Sequence, residues 1–118
     1  MAENKKEIIK QINESFETGS IEGFLAYCTE DFVWTIFGET IKKGKEEVRK
    51  WMSDMEGVEP PKIHSTETIS EGDSLAAYGN LTMKNKDGQA EDYDYCDIYR
   101  FENSKVAELK SYMVKTEK

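Results

Sequence analysis

Pro60 and Pro61 split the chain into two halves that repeat with different periods. Consecutive prolines fix two φ angles, remove two backbone donors and push the residue before them out of the helical region, so no regular element crosses this point. Upstream, apolar residues recur every three to four positions. Residues 3–18 place Ile8, Ile9, Ile12 and Phe16 on one helical face, and Gly19 stops that helix. Ser20 caps a second, short helix carrying Ile21, Phe24, Leu25 and Cys28. The β-branched and aromatic run from Phe32 to Phe37 is a strand, closed by Gly38. A third helix follows Gly44, with Val48, Trp51, Met52 and Met55 on its apolar side, and ends before Gly57.

Downstream, the period falls to two. Residues 63–70, 74–84, 90–101 and 105–114 read as strands separated by EGD, NKDG and ENS, links short enough to impose an antiparallel meander. Three helices in the N-terminal half and a strongly curved antiparallel sheet make an α+β domain, the helices covering the concave face. The 118 residues are read as one domain, 1–118.

Charge narrows the partners. A net charge of −8, with Lys42, Lys43 and Lys45 interleaved with Glu39, Glu46 and Glu47, opposes phosphate backbones and argues against nucleic acid. No apolar run reaches the roughly 20 residues that cross a bilayer, and MAENKKEIIKQ lacks the apolar core of a secretory signal, so no membrane association and a cytoplasmic location are expected. Cys28, Cys96 and the single histidine, His64, have no metal-ligand spacing; no metal or cofactor is expected, and both thiols are read as reduced and buried.

The stretch YDYCDIYRF, residues 93–101, carries the sharpest chemical signal. Alternation puts Tyr93, Tyr95, Asp97, Tyr99 and Phe101 on one face, and Asp94, Cys96, Ile98 and Arg100 on the other. Asp97 is thus the only charge on an aromatic face. Burial there strips its hydration unless it is hydrogen-bonded, paired or protonated, and desolvation is expected to raise its pKa.

The segments GSIEGFLAYCTEDFVW (Gly19 to Trp34), GKEEVRKWM (Gly44 to Met52) and DIYRFENSKVAELKSYM (Asp97 to Met113), in this order and spacing, resemble the nuclear transport factor 2-like superfamily, and within it the SnoaL-like and ketosteroid isomerase-like small domains. The resemblance implies a cone-shaped barrel with a pocket between sheet and helices, often in a dimer packed through the outer sheet face. It also places Asp97 at the pocket-facing aspartate of ketosteroid isomerase-like proteins. Other family positions differ. Trp34, Thr35, Ile36 and Phe37 occupy the strand that carries the isomerase base, Ile12 stands at the oxyanion-hole tyrosine, and Val114 stands at the final-strand acid of the cyclases and epoxide hydrolases.

Trp34, Ile36, Tyr78, Asn80, Tyr95 and Tyr99 are therefore expected to line a pocket around Asp97, with Asp97 as the catalytic candidate. Aromatic area with hydroxyl donors and no cationic clamp suits a compact, mostly apolar molecule bearing a carbonyl or hydroxyl. The expected function is binding of such a ligand, with isomerase, cyclase or dehydratase chemistry through Asp97. The alternative is a non-catalytic binding or dimerisation module. Cys96 and Ile98, on the opposite face, are expected to lie in a homodimer interface.

Overall fold

A computed structural model describes residues 5–54, 60–85 and 87–116. In chain order the elements are α1 (Lys5–Thr18), α2 (Ile21–Leu25), β1 (Cys28–Ile36), β2 (Thr40–Lys43), α3 (Lys45–Ser53), β3 (Lys62–Glu71), β4 (Ser74–Lys84), β5 (Ala90–Glu102) and β6 (Lys105–Lys115). The fold is α+β, as the two periods require. Met55 and Gly57, assigned above to the end of the third helix, lie outside the described residues.

Helix α1 buries Ile8, Ile9 and Ile12, the face marked by the three-to-four spacing. Ser20 caps α2 by accepting the Gly23 backbone N–H at 3.1 Å. Gly23 itself is packed closely, since a Cβ there would stand 2.7 Å from Ser20 Oγ and 2.8 Å from Ser15 Oγ. Cys28 is not helical. The helix stops at Leu25, the Val106 N–H binds the Tyr27 carbonyl at 2.7 Å, and Cys28 opens β1 opposite Val106.

The sheet runs β2-β1-β6-β5-β4-β3 and does not close. It is mixed rather than wholly antiparallel, because β1 lies parallel to β6. That contact joins the strand after the helical hairpin to the last strand, a pairing between distant segments that no short link announces. Strand β2 completes a hairpin with β1 around Gly38, whose φ of 84° favours a residue without Cβ. The concave face meets the helices in one core containing Ile9, Ile12, Phe24, Leu25, Phe32, Val48, Leu75, Tyr99, Val106 and Leu109. Each such side chain contributes roughly 1.5–3 kcal/mol of burial. Trp34 sits at its centre, with ring centroids 5.3 Å from both Phe24 and Trp51.

On the outer face Tyr78, Cys96 and Tyr112 stand in one cross-strand row, and Tyr112 stacks on Phe37 at 4.3 Å. Ile98 and Val114 are exposed nearby. Cys96 is only partly buried, in contrast to the expectation, because it belongs to this outer row; Cys28 alone is enclosed. Both thiols are free. Among the described residues no helix is long and apolar enough to cross a membrane, and no group of three His, Cys, Asp or Glu side chains is arranged to hold a metal.

Candidate functional site

Strand β5 puts Tyr95, Asp97 and Tyr99 on the concave face, as alternation requires: Tyr95 and Tyr99 are buried and Asp97 partly so. The neighbours of Asp97 across the sheet are Ala77 on β4 and Ser111 on β6. The second of these depends on a bulge. The β5–β6 hairpin turns through Asn103 and Ser104, with φ of 51° and 69°, and pairs Phe101 with Val106. An unbroken ladder from that pair would set Asp97 against Lys110. The register instead shifts between Arg100 and Phe101, so Ser111 faces Asp97 and Lys110 is turned to the outer face. Asp97 is thereby denied an ammonium partner and given a hydroxyl.

Three groups form a relay. Trp34 Nε1–H donates to Ser111 Oγ at 2.9 Å, and the Ser111 hydroxyl donates to the Asp97 carboxylate. Desolvation raises the Asp97 pKa from 3.8 to about 7, against the lowering effect of the Ser111 bond. Some of the residue's surface remains accessible, yet its carboxyl is packed closely enough by protein for desolvation to dominate. The Tyr99 hydroxyl is fully buried and has no hydrogen-bond partner among the described residues. Burial, then the nearby Asp97 charge, raises its pKa well above the ordinary value, so it remains a neutral donor.

Tyr95 belongs to a second polar chain. Its hydroxyl lies 2.6 Å from Thr66 Oγ1 and donates to the Ser65 carbonyl at 3.2 Å, while Asn13 Nδ2 donates to Thr66 Oγ1 at 3.2 Å. Asn13 and Thr66 line a groove of about 430 Å³ between α1 and the edge strand β3, together with Lys6, Lys10, Glu14 and Glu17. Asp97 does not line this groove.

Of the residues expected around Asp97, Tyr95 and Tyr99 share its strand face, Trp34 reaches it through Ser111, and Ile36 is the partner of Ser111 on β1. Tyr78 and Asn80 do not join them. They pair with Cys96 and Asp94 and are exposed on the outer face, whereas Leu75, Ala77, Gly79 and Leu81 point inward. Strand parity sets this placement, since one residue of register exchanges the two faces. Ser111, Asn13 and Thr66 are the polar residues missed by the sequence reading. Ser111 carries a signal in its alternation with Leu109, but only the bulge decides that it opposes Asp97.

Residues 9–109 match the family described as the SnoaL-like domain. The chain belongs to that family. No curated protein matches the sequence. The SnoaL-like chain is similar in fold to several solved structures. An NTF2-like protein of unknown function from Burkholderia pseudomallei superposes with a TM-score of 0.87 at 18% identity, over 96% of this chain and 92% of that one. TerC, co-crystallized with polyporic acid, gives 0.82 at 17% identity, over 92% and 90%. A protein from Catenulispora acidiphila with a ketosteroid isomerase-like fold, in complex with trimethylamine, gives 0.77 at 11% identity, over 90% and 84%. At such identities the likeness concerns the fold, and the chemistry lies in this chain's own side chains.

Proposed function

We infer that this SnoaL-like domain binds a compact, mostly apolar molecule bearing a carbonyl or hydroxyl on its concave face, and that Asp97 exchanges a proton with it. The observation that carries the reading is a carboxyl group poised near pH 7 on a face otherwise built of aromatic and aliphatic side chains. A neutral Asp97 donates to a ligand oxygen, and its conjugate base accepts a proton from the same ligand, so one group serves both halves of an isomerisation or elimination. The Tyr99 hydroxyl, fully buried and without a partner among the described residues, becomes a second donor where the ligand displaces the packing over it, which recovers the roughly 1–3 kcal/mol that an unsatisfied buried group costs. Ligands in TerC and in the Catenulispora protein accord with a fold that accommodates small molecules.

A second reading, binding without turnover, is favoured by the groups opposite Asp97. Ala77 and Ser111 include no second acid or base. Thermal-shift screening of carbonyl- and hydroxyl-bearing apolar compounds, with product analysis of every hit, separates the two. Turnover lost in Asp97→Asn with binding retained supports proton exchange; binding without turnover in the parent supports the module. Hits whose affinity is unchanged in Asp97→Ala and Tyr99→Phe contradict both.

The exposed row of Tyr78, Tyr112 and Phe37, flanked by Ile98 and Val114, supports a homodimer joined through the outer sheet face. Free thiols at Cys28 and Cys96 accord with a reducing, cytoplasmic setting.

A further inference from the structure

The groove between α1 and β3 is not explained by chemistry at Asp97. Its charges are ordered along its length. The Ile63 N–H binds Glu17 Oε2 at 2.8 Å, which fixes the carboxylate end of the groove at the start of β3; Asn13 on Thr66 fixes the middle. One to two turns further toward the helix N-terminus, Lys10 and Lys6 stand at the Thr68 end. Lys6, Lys10 and Glu14 make no ion pair with one another or with other described residues. At 1.5 Å per residue, Lys10 lies about 6 Å along the helix from Glu14 and about 10 Å from Glu17.

The opposite wall is an edge strand. β3 has β4 as its single neighbour, so alternate backbone N–H and C=O groups face away from the sheet, toward the groove side. One of them, the Ile63 N–H, is already used by Glu17. A ligand matching this wall offers peptide groups in extended form, with an ammonium for the acidic end and a carboxylate for the basic end. At about 3.3 Å per residue, an extended tripeptide separates its terminal charges by about 10 Å, the spacing of the groove's own charges. A volume of about 430 Å³ accommodates it.

We propose that the α1–β3 groove is a binding site for a short free peptide, about three residues long, lying along β3 with its ammonium at Glu14 and Glu17 and its carboxylate at Lys6 and Lys10. The peptide runs in the same direction as β3. Main-chain pairing supplies affinity with little side-chain selectivity, and the two charged ends select length and free termini. The net charge of −8 opposes a simple anion at Lys6 and Lys10, whereas a ligand whose own cation meets Glu14 offsets that field.

The test is titration of the isotope-labelled protein at low ionic strength with trialanine, N-acetyl-trialanine, trialanine amide and the doubly blocked peptide. Trialanine is expected to shift backbone resonances of α1 and β3. Removing either terminal charge should weaken it about two- to fivefold, the range for an exposed charge pair. Glu14→Gln should reduce the discrimination against the acetylated peptide and leave that against the amide intact, and Lys10→Gln should do the reverse. Asp97→Asn should leave trialanine affinity unchanged, which separates this site from the one proposed above. Absence of binding, equal binding of all four peptides, shifts confined to other elements, or loss of binding in Asp97→Asn would each overturn the assignment.

Discussion

Replacing Asp97 by asparagine should change stability by an amount that depends on pH. The carboxyl has a folded pKa of about 7 against 3.8 for the ordinary group, because desolvation outweighs the Ser111 bond. A group raised on folding contributes its stability in full below the unfolded pKa and loses it as pH climbs through the folded value. The window is therefore pH 4 to 7. Three units at about 1.4 kcal/mol each set an upper limit of about 4 kcal/mol, and residual water contact reduces the expected loss to about 2–3 kcal/mol. Asparagine keeps a carbonyl acceptor for Ser111 and carries no charge, so this loss is absent from the variant. At pH 4 the two proteins should unfold within about 0.5 kcal/mol of each other; at pH 8 the variant should be more stable by about 2–3 kcal/mol. For a chain of this length about 4 °C corresponds to 1 kcal/mol, so the melting temperatures should diverge by about 8–12 °C. Calorimetry of both proteins from pH 4 to 8 reads this difference directly, and titrations elsewhere cancel. A constant difference, or one in which the variant loses ground as pH rises, would refute the desolvated-acid reasoning.

Ser111→Ala removes the hydrogen bond that favours the charged carboxylate, so the Asp97 pKa should rise above about 7, and the stranded Trp34 N–H should cost about 1–3 kcal/mol in denaturant unfolding. Gly79→Ala should destabilise by about 3 kcal/mol or more, because a Cβ there would stand 1.9 Å from the Ser65 carbonyl oxygen, which the bulge after Ile63 presses against β4; Gly72→Ala, with open space but a φ of 58°, should cost only about 1 kcal/mol in the same assay. Sedimentation at micromolar concentration should give about twice the chain mass, and Tyr112→Lys combined with Ile98→Lys should return a folded monomer; a parent monomeric throughout would remove the outer-face interface.

The parts of the fold that rest on local period were legible. The apolar faces of α1 and α3, the strand character of β3 to β6 and the inward face of β5 follow from spacing within single elements, and Asp97 stands where alternation puts it. Relations between elements were not. The parallel β1–β6 pair joins segments more than seventy residues apart, and β2, only four residues long, is set by pairing with β1 rather than by its own pattern. Strand β4 shows the limit most clearly. Leu75, Ala77, Gly79 and Leu81 mark a buried face by composition, whereas the demand for polar partners near Asp97 selected Tyr78 and Asn80. Register supplies the answer, and on β6 it turns on one extra residue in a bulge, which exchanges Lys110 for Ser111 opposite the acid.

Asp97 is a partly buried acid whose closely packed carboxyl stays neutral below pH 7. Carbon-13 titration of its carboxyl group in the folded protein measures this directly. A midpoint near 7, falling on no other aspartate and rising further in Ser111→Ala, is the predicted result. A midpoint at or below about 4, the value of a solvated aspartate, would contradict it.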